Sequence, residues 1–267
     1  MKNSRESKME AFGRLLDIMD ELREKCPWDR EQTTESLRPL TIEECYELSD
    51  AIIREDSREL SKELGDVLLH IVFYAKIGEE QGNFDVKDVI DRLIDKLVYR
   101  HPHVFDTQQV ESAGQVIKNW EDLKRKEKDG NKTILSGVPA SLPSIVKAYR
   151  MQDKARAVGF DWDDKSQVWD KIKEEMAEFE KEIAGMNLTD EAVRLRAEQE
   201  LGDLQFSLIN MARLYDLNPD TALEMTNKKF KYRFTYLEMK AKEMGRSLKE
   251  MSLVEMDEIW NEAKKAE

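Results

Sequence analysis

Two four-residue words in this 267-residue chain point to chemistry. Glu-Leu-Gly-Asp occurs at 63–66, inside SKELGDVLLHIVFYAKI, and again at 200–203, inside EQELGDLQFSLINMARL. Each word sets a glutamate and an aspartate three residues apart at the mouth of a long apolar, helix-like run. A second acidic group stands upstream of each: Glu43, Glu44 and Glu47 in EECYE, then Glu174, Glu175 and Glu178 in EEMAE. At about 3.6 residues per turn, carboxylates three or four apart share a helix face. A short connection makes consecutive helices antiparallel neighbours, so the acidic faces can converge. Four or five facing carboxylates repel one another and are pushed toward neutrality unless a cation sits among them. Donors that are all oxygens suit a hard cation such as Mg²⁺ or Mn²⁺.

An ExxE alone is commonplace in so acidic a chain, and most acidic helix faces are simply solvated. The doubled, ordered set carries the reading. PWD at 27–29 answers DWD at 161–163, EECYE answers EEMAE, and ELGD answers ELGD. This is an internal duplication with a period near half the chain. The second copy has six extra residues near GMNLTDEAVR, where insertion costs little. A di-iron bundle normally uses Glu-x-x-His on two helices. The three histidines, His70, His101 and His103, do not stand three after any of these glutamates. RELSKELGD at 58–66 imitates the core of a Nudix box, but Lys62 and Asp66 stand where that box needs a glutamate and an apolar residue.

Basic pairs at i, i+4 follow in each half, Lys96 with Arg100 and Lys229 with Arg233. On a face opposite a metal they would clamp phosphates; elsewhere they are ordinary surface charge. Asn210, on the second ELGD run, and Asn227, beside the second basic pair, offer polar groups that could read a base or sugar.

The elements that position these residues are helices. Hydrophobic residues make up 40% and charged residues 37% of the chain, and glycine (11) and proline (6) are scarce. That composition favours an all-α protein. Helical spacing runs from Ser7 to Lys25 and breaks at CPWDREQT. A second helix is expected after Pro39, with Thr41 and Glu44 as a capping box. Others are expected at about 59–79, at 85–101 up to Pro102, from Ile145, at 166–184, 191–215 and 219–243, and around Leu253, Met256 and Trp260. Gly65 and Gly202 fall inside helices, where a close helix approach or a bulky ligand would explain them. The segment 127–144, rich in turn signals, reads as a linker between domains 1–126 and 145–267.

The net charge of −13 disfavours a nucleic-acid partner. Two cysteines, Cys26 and Cys45, make no disulfide framework. The polar first 25 residues contain neither a signal peptide nor a membrane span, so a cytoplasmic protein is expected.

The motifs resemble the MazG family of all-α nucleoside triphosphate pyrophosphohydrolases, whose signature is EExxE, a spacer, then ExxD. CPWDREQTTESLRPLTIEECYEL, YRHPHVF and VGFDWDD are similar to its tandem-domain pattern, and the resemblance covers nearly the whole chain. It implies two tandem helical-bundle domains and dimerisation through helix bundles. It also implies Mg²⁺-dependent conversion of an NTP or dNTP to the monophosphate and diphosphate, as nucleotide-pool house-cleaning. The implied metal ligands are Glu175, Glu178, Glu200 and Asp203, with Glu174 beside them as ligand or water-orienting group. Glu44, Glu47, Glu63 and Asp66, near Glu43, form a second such set. Lys229 and Arg233 match phosphate-contacting positions; Asn210, Asn227 and Trp260 match positions near the nucleotide. Arg196 stands where a lysine is usual. The first half departs from this set, with Phe73 at the position of Asn210 and Ile94 at that of Asn227, while keeping its carboxylates and Lys96/Arg100. The second half is therefore expected to be the main catalyst. The competing expectation is a helical scaffold or adaptor that binds a metal or nucleotide without hydrolysis.

Overall fold

The computed structural model describes residues 3–107, 133–162, 164–184 and 190–266, with 109, 110, 112, 114–116, 119, 120 and 123 between them. The described residues form α-helices and two short 3₁₀ turns, with no strand among them, so the fold is all-α. The chain divides into two compact units, Met1–Trp120 and Glu121–Glu267.

The first unit holds α1 (Arg5–Lys25), α2 (Pro27–Glu31), α3 (Thr34–Ile53), α4 (Ser57–Glu80), α5 (Val86–Arg100) and α6 (Pro102–Phe105). Pro39 and Thr41 do not open α3, contrary to their order in the sequence. The helix starts at Thr34, and Pro39 lies within it. Its capping box is Thr33 with Ser36: the Ser36 N–H donates to Thr33 Oγ1 at 3.2 Å, and the Thr33 N–H to Ser36 Oγ at 2.9 Å. The Thr41 hydroxyl has another role. It donates to the Leu37 carbonyl at 3.0 Å and lies 2.9 Å from His70 Nδ1 and 2.7 Å from the Tyr74 hydroxyl, tying α3 to α4. Between these helices only Arg54, Glu55 and Asp56 intervene. Glu55 takes the left-handed conformation (φ 55°), and the Asp56 carboxylate accepts the Arg58 and Glu59 N–H groups to start α4. So tight a connection forces the antiparallel pairing that brings the two acidic faces together.

Met19, Leu37, Val72, Phe73 and Ile77 form the core of this unit. Arg23 braces it from α1. Its Nε donates to Glu80 Oε1 at 2.8 Å, its Nη1 to the carbonyls of Gln32 and Asp29, and its guanidinium lies over the Phe73 ring at 5.5 Å. No residue of α5 is buried.

The second unit holds a 3₁₀ turn (Leu135–Gly137), α7 (Ser144–Arg156), α8 (Gln167–Ala184), α9 (Glu191–Leu214), α10 (Pro219–Glu243), a 3₁₀ turn (Leu248–Glu250) and α11 (Leu253–Ala266). Asn218 caps α10 by accepting the Thr221 N–H at 3.0 Å, with Pro219 at the first helical position. Val168, Ile172, Leu204 and Leu214 pack one core cluster, and Leu237, Ala241, Met251 and Ile259 another. Arg213 is buried beside them and donates from Nη1 to Asp161 Oδ2 at 3.0 Å. Of the segment expected as a linker, 133–144 belongs to this unit and its 3₁₀ turn contacts α7. Residues 127–132, Asp163 and residues 185–189, most of the loop expected at 185–190, lie outside the described residues.

Gly65 and Gly202 lie inside α4 and α9. No neighbouring atom comes within 4 Å of the place a Cβ would take at either. A close helix approach is therefore not their reason.

Candidate metal centres

Helices α3 and α4 carry the first acidic face and α8 and α9 the second. Glu44, Glu63 and Asp66 each bring one carboxylate oxygen within 4.8 Å of the others; Glu175, Glu200 and Asp203 do the same. Glu47 is not in the first trio. It lines an open groove between α3 and α4 with Glu43 and Glu63. Glu178 is likewise outside the second trio, but its charge reaches it: burial, then Glu178 and Asp203, push the Glu200 carboxyl above its ordinary value. Burial, then Asp66, Glu47 and Glu63, do the same to Glu44. Both shifts combine loss of solvent with negative charge set beside negative charge.

The donor set fits a hard divalent cation, and one observation within it asks for one. Glu63 is only 3% exposed, and its Oε2 is buried without a hydrogen-bond donor. An unsatisfied buried carboxylate oxygen is destabilising by about 1–3 kcal/mol or more. A cation held by the trio would relieve it.

Each trio also carries a lysine that the motif reading did not single out as a site residue. Lys62 Nζ lies 2.8 Å from Glu63 Oε1 and 4.0 Å from Glu59. Lys171 Nζ lies 2.7 Å from Glu175 Oε1 and 2.9 Å from Glu174 Oε1. Hydrogen bonds to Glu175, then Glu174, hold the Lys171 ammonium far above its usual pKa. The signal for Lys171 was present in the sequence, because it stands four residues before Glu175 on one helix face. Lys62 carried a similar signal toward Asp66, four residues on, and Glu59, three back, but its ammonium meets the adjacent Glu63, which periodicity does not indicate.

The other candidates are placed as follows. Arg196 on α9 donates from Nε to Glu182 Oε2 at 3.2 Å. Asn210 Oδ1 accepts from Arg213 Nε at 3.1 Å and Nη2 at 2.8 Å, so its carbonyl is already engaged by the Arg213–Asp161 pair. Asn227 donates to Glu224 one turn back, at 3.2 Å. The Arg233 guanidinium lies over the Trp260 ring at 5.7 Å, and Phe230 packs on that ring at 5.2 Å. Lys229 is exposed one turn before Arg233, and Lys96 is exposed on α5, one turn before the half-buried Arg100. Neither Lys96 nor Arg100 lines the groove beside the first trio; Arg54 and Lys62 do.

Antiparallel helix pairs that present EExxE and ExxD faces to each other define an all-α class of nucleoside triphosphate pyrophosphohydrolases. Comparison narrows the class. The pattern of the MazG nucleotide pyrophosphohydrolase domain matches residues 32–105. A Thermotoga maritima protein named nucleoside triphosphate pyrophosphohydrolase/pyrophosphatase MazG is 41% identical over 256 residues, 95% of each chain. The Escherichia coli K12 nucleoside triphosphate pyrophosphohydrolase is 39% identical over 264 residues, 97% of this chain and 99% of its own. The uncharacterized protein YabN of Bacillus subtilis is 46% identical over 259 residues, 96% of this chain and 52% of its own. The chain belongs to the MazG family. Among the described residues no helix is long and apolar enough to cross a membrane.

Proposed function

We propose that the chain hydrolyses nucleoside triphosphates, NTP or dNTP, to the monophosphate and diphosphate, with the second unit as the main catalyst. The observation that carries this reading is the trio of converging carboxylate oxygens on each antiparallel helix pair, with one oxygen of Glu63 in the first trio buried without a donor. The names of the Thermotoga and Escherichia relatives support it.

In the second unit Glu175, Glu200 and Asp203, with Glu178 beside them, would hold Mg²⁺, or Mn²⁺. When bound, such an ion supplies charge that offsets the triphosphate and favours hydroxide over water. The chain's residues do the rest. A carboxylate of the EExxE face takes the proton of a water whose oxygen attacks the α-phosphorus. The bond from that phosphorus to the α,β-bridging oxygen breaks, and its electron pair leaves with diphosphate. Lys229 and Arg233 offset the charge on the departing group, and Trp260 holds Arg233 in place through its ring face. We also propose a homodimer. Leu93, Ile94 and Val98 on α5 are 43–49% exposed, an apolar stripe that a second copy would cover.

The test is incubation of the pure protein with each common NTP and dNTP, with and without Mg²⁺, measuring diphosphate and monophosphate. Metal-dependent release of both is the expected result. Orthophosphate with NDP would reject α-phosphate cleavage. Binding without any product would replace the hydrolase by a metal- or nucleotide-binding scaffold.

A further inference from the structure

Asn210 stands seven residues after Asp203 on α9. At about 3.6 residues per turn and 1.5 Å per residue, that is the same helix face, about 10 Å further along. The face that brings Asp203 to the second trio therefore also carries Asn210, within reach of a group extending from a phosphate held at the trio.

A neighbour fixes which end of its amide Asn210 presents. Arg213 Nε and Nη2 both donate to Asn210 Oδ1, at 3.1 and 2.8 Å. A guanidinium has five donors and no acceptor, so the carbonyl end of the amide must face it and the NH₂ end must turn away. Arg213 is held in turn. Its side chain is 5% exposed, its Nη1 donates to Asp161 Oδ2 at 3.0 Å, and its Nη2 donates to Asp161 Oδ1. The Trp162 N–H donates to the same Oδ1 at 3.0 Å. A forked guanidinium–carboxylate pair sets orientation as well as position. Asp161 and Trp162 belong to the DWD word that the repeat singles out, in the loop between α7 and α8. A relay thus runs from that loop, through Arg213, to the amide of Asn210. In the first unit Phe73 takes the place of Asn210, and a ring offers no N–H.

We propose that Asp161 and Arg213 are substrate-positioning residues of the second unit. They lock Asn210 with its NH₂ toward the nucleoside of a triphosphate held at Glu175, Glu200 and Asp203. There the NH₂ donates to an acceptor oxygen of the nucleoside, a sugar hydroxyl or a base carbonyl. Because Arg213 takes the carbonyl end, Asn210 selects acceptors and not donors. The inference rests on the hydrolase reading above and deepens it by giving the DWD loop a part in substrate affinity.

The experiment compares the full chain with the double variant Asp161→Leu/Arg213→Met, which removes the pair together so that neither charge is left buried alone. In Mg²⁺, isothermal titration measures non-hydrolysable α,β-imido UTP and inorganic triphosphate, and turnover of UTP gives KM and kcat. The double variant is expected to bind the imido analogue about tenfold more weakly and inorganic triphosphate as before. KM should rise about tenfold, with kcat within about threefold. Adding Asn210→Ala should bring no further loss, because the pair acts through that amide. Should the double variant fail to fold, Arg213→Lys keeps the charge without the fork and should show the same split. A 2′,3′-dideoxy form of the analogue locates the acceptor: the loss vanishes for a sugar hydroxyl and persists for a base carbonyl. The proposal is overturned if inorganic triphosphate weakens in step, if kcat falls with KM unchanged, if Asn210→Ala adds its full loss to the double variant, or if nothing changes. An unsubstituted chain that binds no nucleotide overturns the hydrolase reading as well. Nucleotide binding indifferent to Arg213 overturns this proposal alone.

Discussion

The two units carry the same carboxylate trio in different surroundings. At the position of Asn210 the first unit has Phe73, 3% exposed, packed in the core beneath the Arg23 guanidinium. Asn210 is instead a polar link, its carbonyl oxygen bound to Arg213, which is bound in turn to Asp161. The lysine paired with one carboxylate of the trio comes from the ELGD helix in the first unit and from the EExxE helix in the second. The second unit adds an Arg233–Trp260–Phe230 stack. The difference teaches that helix pairing and converging carboxylates survive duplication together, because one short antiparallel connection fixes both. The groups around them are free to diverge, because each depends on a single side chain.

The comparison breaks first, or holds, on activity. Glu175→Ala with Glu178→Ala should lower turnover by at least ~10³-fold, roughly 4 kcal/mol of lost transition-state stabilisation. The chain should stay helical by circular dichroism. Glu44→Ala with Glu63→Ala should change turnover by less than about threefold. Monophosphate release at saturating substrate decides between them. If the first-unit pair carries the large loss, the assignment of the main catalyst is reversed.

The next effect is on stability. Phe73→Ala removes a fully packed ring and should destabilise the first unit by ~3–5 kcal/mol in chemical denaturation. Asn210→Ala removes an acceptor that two guanidinium N–H groups use and should cost about 1–2 kcal/mol. Aligned positions would then differ in kind. The first is a core residue whose loss is read in the unfolding midpoint. The second should also raise KM if its amide reaches substrate.

Much of this contrast was legible in the residues. The 3.6-residue period drew the helices, and the repeated EExxE and ELGD words identified the acidic faces, because both signals are local. The start of α3 was misread because Thr41 and Glu44 mimic a capping box, while the true cap uses Thr33 and Ser36 and the helix tolerates Pro39 inside it. Thr41 instead serves His70 and Tyr74, 29 and 33 residues away, and no local rule reaches that far. Which carboxylate oxygens meet depends on side-chain rotamers, which spacing cannot supply. Lys62 stands four before Asp66, but whether its ammonium meets Asp66, Glu63 or water is a matter of one flexible stem.

Acid sharpens the comparison further, with a smaller effect. Arg23 donates to Glu80 and holds its carboxyl below the ordinary value. Burial alone would raise Asp161, but the hydrogen bonds from Arg213 and the Trp162 N–H outweigh it and hold that carboxyl low as well. Glu255, bonded by Arg246 and the Ser252 N–H, is brought from 4.5 to about 2. A carboxylate depressed in the folded state stabilises above its unfolded pKa and loses that contribution as pH falls through its folded pKa. Stability measured in urea should therefore fall on the acid side, with the Glu255 share vanishing between about pH 4.5 and about 2. Arg246→Met should flatten that limb for the second unit and leave the Arg23–Glu80 share in the first intact. An unchanged acid limb would remove Glu255 from the account.

The smallest effect separates a structural glycine from a functional one. At Gly78 a Cβ would meet the Phe84 ring at 2.7 Å and its carbonyl at 2.8 Å, so the core of the first unit demands glycine there. At Gly65 and Gly202 the same Cβ would meet nothing within 4 Å, and neither has a positive φ. Each sits in a helix interior, where replacement by alanine should stabilise by up to about 1 kcal/mol. Gly65→Ala and Gly202→Ala should therefore both raise the melting temperature. Each glycine immediately precedes the aspartate of its trio, so a metal-bound triphosphate that approaches the backbone there would be obstructed by the new methyl group. Under the assignment made above, Gly202→Ala should gain stability and lose turnover, whereas Gly65→Ala should gain stability and keep it. Equal loss of turnover in both variants would make the two units equal partners in catalysis. A gain in stability with full activity in both would mean that substrate does not approach the chain at these glycines.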